Sequence, residues 1–157
     1  MTARKSTTSV FVDSTSLIYL AEKDDLTKRT ACATWLKALV RSEVLILNPQ
    51  VLNETYWVLR RKPRFRVGAD QARRFVQRFI RFARAPAHLS HMFDAWQIEE
   101  AYGVRYYDAL LLASANAAGC THFLSEDLND GQRYGRVQAI NPFRHAPEDV
   151  LGRASRN

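Results

Sequence analysis

Short runs of apolar residues alternate along this chain with segments whose apolar residues recur at helical spacing. The runs at residues 9–12, 44–47, 121–124 and 136–140 predict strands that are buried on both faces. Parallel strands need long connections, and the helical segments between these runs can supply them. The sequence therefore predicts an α/β fold with a central, mostly parallel sheet of four to five strands and helices on both faces.

The helices between the strands are delimited by common start and stop signals. Asn48 followed by Pro49 predicts a helix start, and Gly103 and Gly119 predict two helix ends. One long helix is predicted over residues 69–84. Three tryptophans at apolar helical positions are predicted to lie in the core: Trp35, Trp57 and Trp96.

The length of 157 residues suits one domain. We expect residues 1–157 to form it, with a core over about residues 9–143 and short polar tails at both ends. Cys32 and Cys120 are predicted to be buried thiols rather than a disulfide. The N-terminal residues lack the apolar run of a signal peptide, and no segment approaches the roughly 18 apolar residues of a membrane span. We expect a cytoplasmic protein that does not bind membranes.

Positive charge is concentrated in residues 60–84, which we name the basic segment. The chain has a net charge of +7, and this segment holds ten Lys and Arg residues but one acid. Such a segment favours a polyanionic partner. Arg74, Arg78 and Arg81 would share one face of a helix, and with Arg64 they are candidates for contact with an RNA backbone. Contact with a protein partner and a solvated polar face are the alternatives.

Four acidic residues fall where the carboxyl ends of the predicted strands meet. Asp13 and Asp127 follow strands, Glu54 lies on the helix after the second strand, and Asp108 lies at the start of a later helix. Ligands of open parallel sheets bind at this edge. Each acid alone is more simply explained as a cap, a turn residue or a solvated helix charge.

Together, however, the four carboxylates would repel one another unless a cation neutralises them or some stay protonated. Oxygen ligands without His or Cys select Mg²⁺ or Mn²⁺. A divalent cation beside a basic surface indicates phosphodiester chemistry, because the cation polarises a phosphoryl oxygen and activates water.

Four motifs resemble those of the PIN-domain ribonucleases, and among them the VapC-type toxins of toxin–antitoxin modules. They are residues 11–16 (Phe-Val-Asp-Ser-Thr-Ser), 53–54 (Asn-Glu), 107–109 (Tyr-Asp-Ala) and 125–132 (Ser-Glu-Asp-Leu-Asn-Asp-Gly-Gln), followed by Asn-Pro-Phe at 141–143. The last motif is the most specific, whereas the first three are short. The resemblance covers about residues 9–143 in the family's order and implies a PIN-like three-layer sandwich.

The resemblance also implies an activity. It implies a metal-dependent endoribonuclease that cleaves tRNA or ribosomal RNA, forms a homodimer and is blocked by a cognate antitoxin protein. Four residues would be catalytic and would hold Mg²⁺ or Mn²⁺: Asp13, Glu54, Asp108 and Asp127.

Further residues are implied in supporting roles. Ser125 would brace the acidic cluster, and Ser14 would bond the region of Asp13. Asp130 is a further candidate metal ligand, with a turn residue before Gly131 as the alternative. The chain departs from the family at Thr15, where many members carry Asn, which puts a water-positioning role there in doubt.

Two other functions fit parts of the same pattern. Phosphatases and phospho-receivers also place an Asp after the first strand, but the phosphatase needs a second Asp where this chain has Thr15. A receiver needs a Lys after its last strand, and none lies near Ile140. The third hypothesis is a non-catalytic RNA-binding or regulatory module. The presence of all four acids argues against it.

Overall fold

The computed structural model describes residues 7–152; the outermost residues of both predicted polar tails lie outside this range. Five strands form a single sheet in the order β2-β1-β3-β5-β4. The strands are β1 (Val10–Val12), β2 (Leu45–Ile46), β3 (His122–Leu124), β4 (Arg133–Tyr134) and β5 (Val137–Ile140). The β1, β2, β3 and β5 strands run parallel, and only β4 pairs antiparallel, with β5.

Helices surround the sheet and connect its parallel strands, which confirms the predicted α/β class. They are α1 (Ser14–Ile18), α2 (Leu26–Arg41), α3 (Pro49–Arg61), α4 (Ala69–Gln77), α5 (His91–Tyr102), α6 (Tyr106–Ala117) and α7 (Glu148–Leu151). The predicted start signal at Asn48 is confirmed, because its side chain accepts the Val51 N–H at 3.0 Å. Gly103 ends α5 with a φ of 67°, a left-handed conformation that glycine adopts at low cost.

The main core lies between the sheet and its helices. Phe11 of β1 and Phe123 of β3 stack with their ring centroids 5.1 Å apart, and both rings are fully buried. Val150 and Leu151 of α7 pack against this core, which therefore continues beyond residue 143. Among residues 7–152, no helix has both the length and the apolar character to cross a membrane.

A smaller cluster of buried side chains attaches the basic segment to the body. It joins Ile18 of α1 and Leu59 of α3 to Phe65 and Ala72. Phe65 is completely buried although most of its neighbours in the segment are charged. The apolar residues of the basic segment thus pack it against α1 and α3.

Part of the predicted organisation of the basic segment is wrong. The helix predicted over residues 69–84 ends at Gln77 in the structure, and a short 3-10 helix follows at Ile80–Phe82. The chain turns there because Leu47, at the end of β2, bonds Phe82 and Ala85 through its backbone N–H and C=O. Arg81 therefore does not continue a helical face with Arg74.

Two of the three tryptophan predictions are also wrong. Trp35 is buried, and its indole N–H donates to the carbonyl oxygens of Pro142 and His145. Trp57 and Trp96 are 58% and 48% exposed. Trp57 is exposed because Thr55 and Leu59 define the buried face of α3, and a residue midway between them points away from that face.

Replacing Phe123 by Ala should lower the free energy of unfolding by about 3–5 kcal/mol, because removal of the stacked ring leaves a cavity beside Phe11. The matched control is Phe93→Ala, the same substitution at a side chain that is 59% exposed. Urea unfolding measures both. Equal losses for the two variants would contradict the assigned core.

Candidate active site

Asp13 is the most buried of the four candidate acids, at 4% exposure. It follows β1 directly and is the N-cap of α1, so its position is set by both elements. Its Oδ1 accepts hydrogen bonds from the Ser16 backbone N–H at 3.0 Å and from the Ser16 hydroxyl at 2.9 Å. The capping role and the position at the carboxyl edge of the sheet therefore coexist in one residue.

Burial raises the pKa of Asp13 to about 7. The negative charge of Asp127 adds to this rise, whereas hydrogen bonds from Ser125 and Ser16 oppose it. Desolvation disfavours the charged form of a carboxyl, and a nearby carboxylate disfavours it further. Without a cation, the carboxyl of Asp13 therefore keeps its proton to a far higher pH than a solvent-exposed aspartate does.

Glu54 lies on α3 and faces α1. Its Oε2 accepts the Ser14 hydroxyl at 2.9 Å, and its Oε1 accepts the side-chain amide of Gln50 at 2.8 Å. Ser14 is adjacent to Asp13 in the chain, so this bond ties Glu54 to the end of β1. Both carboxylate oxygens of Glu54 are thereby oriented by neutral donors.

Asp108 and Asp127 are brought together around one cation, Arg105. The Arg105 Nε lies 3.5 Å from Asp108 Oδ2, and its Nη2 lies 3.8 Å from Asp127 Oδ1. The pKa of Asp108 is raised chiefly by burial; the Arg105 charge opposes this rise, whereas Asp127 and Glu54 reinforce it. Arg105 is 77% exposed, so each ion pair contributes at most about 1 kcal/mol.

Ser125 links Asp13 to Asp127. Its hydroxyl oxygen accepts the Asp127 backbone N–H at 3.1 Å, and its side chain hydrogen-bonds Asp13. The buried hydroxyl thus holds the loop after β3 against the end of β1. The structure therefore brings the four predicted acids and both predicted supporting serines to the same edge of the sheet.

Asp130 points elsewhere. Its Oδ1 accepts the Asn141 backbone N–H at 2.9 Å, and its Oδ2 lies 2.7 Å from His145 Nε2. Burial alone would raise the pKa of Asp130, but the hydrogen bonds from Asn141 and His145 outweigh burial and lower it. Both oxygens therefore have partners within the protein, an arrangement that suits a structural turn better than a metal ligand.

The donor set of the acidic edge fits a hard divalent cation, because it consists of carboxylate and hydroxyl oxygens. The negative charge of Asp127 repels those of Asp13 and Asp108, and a bound cation would relieve this repulsion. Within residues 7–152, no three His, Cys, Asp or Glu side chains are already grouped closely enough to hold a metal. Arg105 lies against two of these carboxylates, so a cation that bound them would replace its ion pairs.

The candidate contacts of the basic segment are spread over two clefts. Arg74 and Arg78 line a wide cleft of about 810 Å³, together with Lys23 and Arg29. Arg64 lies in a second cleft of about 320 Å³, which also contains Glu54. The structure thus separates Arg64 from Arg74 and Arg78, whereas the sequence grouped them as one surface.

Sequence reasoning missed Arg105 and Gln50. Both carried a readable signal, because Arg105 precedes Asp108 by three residues and Gln50 precedes Glu54 by four, the spacings at which helical side chains meet. The contact of Arg105 with Asp127 had no such signal, since those two residues are 22 positions apart.

Residues 10–134 match the family of the PIN domain, which is most of the chain and includes all four acids. The protein belongs to the PIN domain family. PIN domains are generally nucleases that bind RNA and use divalent metal ions, so membership of this family supports a nuclease. No curated protein matched the chain in a comparison of sequences.

Replacing Asp13 by Asn should stabilise the metal-free protein at pH 8 by about 1–3 kcal/mol, within the ceiling of about 4 kcal/mol set by a rise from 3.8 to about 7. A raised pKa contributes stability that is complete below about pH 4 and is lost as the pH rises through about 7. The gain should therefore grow between pH 5 and pH 8. Urea unfolding in EDTA measures it.

The control for this experiment is Asp24→Asn, which removes an exposed carboxylate from a loop. It should leave the pH dependence of the wild type unchanged. Parallel pH profiles for wild type and Asp13→Asn would show that Asp13 is not the buried, proton-binding carboxyl.

Proposed function

We propose that the protein is a Mg²⁺- or Mn²⁺-dependent endoribonuclease that acts as the toxin of a type II toxin–antitoxin pair. The observation that carries the catalytic part is the convergence of four carboxylates at the carboxyl edge of the sheet, where the negative charge of Asp127 raises the pKa of both Asp13 and Asp108. Arg105 balances only part of this charge, which favours binding of a divalent cation there. The membership of the PIN family supports the same activity.

In this proposal the cation is held by Asp13, Glu54, Asp108 and Asp127. When bound, a divalent cation polarises a phosphoryl oxygen and makes water a stronger nucleophile at neutral pH. Ser14 and Gln50 keep the two oxygens of Glu54 in a fixed orientation. Ser125 aligns Asp13 with the loop that carries Asp127.

Arg105 has two roles in the proposal. It pairs with Asp108 and Asp127 when no cation is present. Once those carboxylates are neutralised otherwise, its exposed guanidinium is free to bind a phosphate oxygen of the RNA. An exposed positive group is thereby available next to the acidic edge without a new side chain entering the site.

The toxin role is supported by the motifs at residues 125–132 and 141–143, which resemble the VapC-type toxins. By the same resemblance we propose a single domain over residues 1–157, a homodimer, a cognate antitoxin that blocks the acidic edge, and tRNA or ribosomal RNA as substrate. The net charge of +7 supports an RNA substrate, since the basic segment lies close to the acids in the cleft that holds Arg64.

Replacing Asp108 by Asn should reduce RNA cleavage at least about 100-fold, because it removes a carboxylate that would hold the cation on which the proposed reaction depends. End-labelled RNA incubated with Mg²⁺ or Mn²⁺ measures it, and EDTA should abolish cleavage by the wild type. The control is Asp94→Asn, an exposed acid on α5, which should cleave normally. RNA binding without products in either metal would instead favour a non-catalytic RNA-binding module.

Expression of the wild type should arrest bacterial growth, whereas expression of Asp108→Asn should not, because growth arrest depends on RNA cleavage. Co-expression of the small open reading frame next to the gene should restore growth if it encodes the antitoxin. Colony counts measure both effects. Active cleavage in vitro with no growth defect would retain the nuclease and reject the toxin role.

A further inference from the structure

A cleft of about 320 Å³ opens from the acidic edge along α3. Its walls include Ser14 and Glu54 at one end and Lys62 and Arg64 at the other, with Trp57 between them. The volume falls within the range of small-molecule sites, about 300–1,000 Å³. The cleft therefore joins a cationic surface to a candidate catalytic acid over a short distance.

We propose that this cleft is a nucleotide subsite for single-stranded RNA, in which one base stacks on Trp57 while Lys62 and Arg64 hold the adjoining phosphates. The inference rests on the proposed function in one respect, since it takes RNA to be the substrate. It adds a residue that binds a base, and it places the path of the RNA along α3.

Trp57 has the features of a stacking platform. The side chain is 58% exposed, although burying an indole is strongly favourable. The Arg61 guanidinium lies 4.4 Å from the centroid of the Trp57 ring, a cation–π contact that steadies the indole. In the proposed subsite, a base stacks on the exposed part of the ring that Arg61 does not cover.

The charges along the cleft suit a strand of nucleic acid. Arg64 is held by an ion pair with the buried Glu22 at 3.4 Å, so its position is fixed before any ligand arrives. Lys62 lies eight residues after Glu54, about 12 Å along the axis of α3. That length spans a few nucleotides, so phosphates at Lys62 and Arg64 would leave another phosphate near Glu54.

RNA fits this cleft better than an acidic peptide. Single-stranded RNA offers a base to Trp57 and phosphates to Lys62. At Glu54 it presents the phosphodiester that the proposed chemistry needs. An acidic peptide would satisfy Lys62 and Arg64 but would bring neither a base for Trp57 nor a diester for the proposed chemistry. A duplex would keep its bases stacked inside and would not reach the indole. Single-stranded RNA is therefore the occupant that both ends of the cleft accept.

The test measures binding of a fluorescently labelled 12-nucleotide single-stranded RNA in EDTA, by anisotropy, so that no cleavage occurs. Trp57→Ala should weaken binding about 5-fold or more, the effect of losing one base stacked on an aromatic ring. Trp57→Phe should retain most of the affinity because it keeps a ring. The matched control is Trp96→Ala, which removes an exposed tryptophan from α5 and should leave binding unchanged.

A second measurement separates stacking from charge. Inorganic polyphosphate has no bases, so its inhibition constant against RNA binding should be the same for wild type and Trp57→Ala. Lys62→Gln should weaken the binding of RNA and of polyphosphate alike, and should reduce the salt slope of RNA binding by about 0.7.

Several outcomes would overturn the inference: no RNA binding by the wild type, equal losses in Trp57→Ala and Trp96→Ala, or unchanged RNA affinity with loss of a protein partner in Trp57→Ala. Its failure is separable from that of the proposed function. Binding that depends on Trp57 without cleavage in Mg²⁺ or Mn²⁺ would reject the nuclease alone. Cleavage by the wild type with full RNA affinity in Trp57→Ala would reject the subsite alone.

Discussion

Repulsion between carboxylates at the carboxyl edge of the sheet is the constraint that shapes this molecule. Parallel strands end side by side, so the acids that follow β1 and β3 are forced into one small region. The protein meets the cost differently at each acid. Asp13 gains a pKa near 7 through burial, Glu54 is held by the neutral donors Ser14 and Gln50, and Arg105 pairs with the remaining two acids.

In the proposed function, the two halves of α3 carry different residues of the site. Its N-terminal half carries Glu54 to the acids, and its C-terminal half carries Trp57 and Arg61 to the solvent. Leu59 and Thr55 bury the opposite face of the same helix. One rigid element therefore fixes the distance between the chemistry and the basic surface, so specificity and catalysis are not left to separate loops.

The sheet and the acids could be predicted because they depend on local patterns: apolar runs for β1 and β3, and an acid at the end of each. The strand β4 could not, because two residues give no pattern and its edge position depends on pairing with β5. The end of α4 could not be predicted either, because the 3-10 helix that follows Gln77 is positioned by backbone bonds of Phe82 and Ala85 to Leu47, 35 and 38 residues earlier, which no periodicity reveals. The exposure of Trp57 has a different cause: the buried positions of α3 define one face of the helix, and Trp57 lies on the opposite face despite its apolar character.

Arg105 and the raised pKa of Asp13 have a consequence for the metal-free protein. The chain supplies its own positive group and, through burial, favours a proton at the acidic edge, so part of the negative charge there is neutralised without a metal ion. In the proposed function, a chelator would therefore stop cleavage without unfolding the protein.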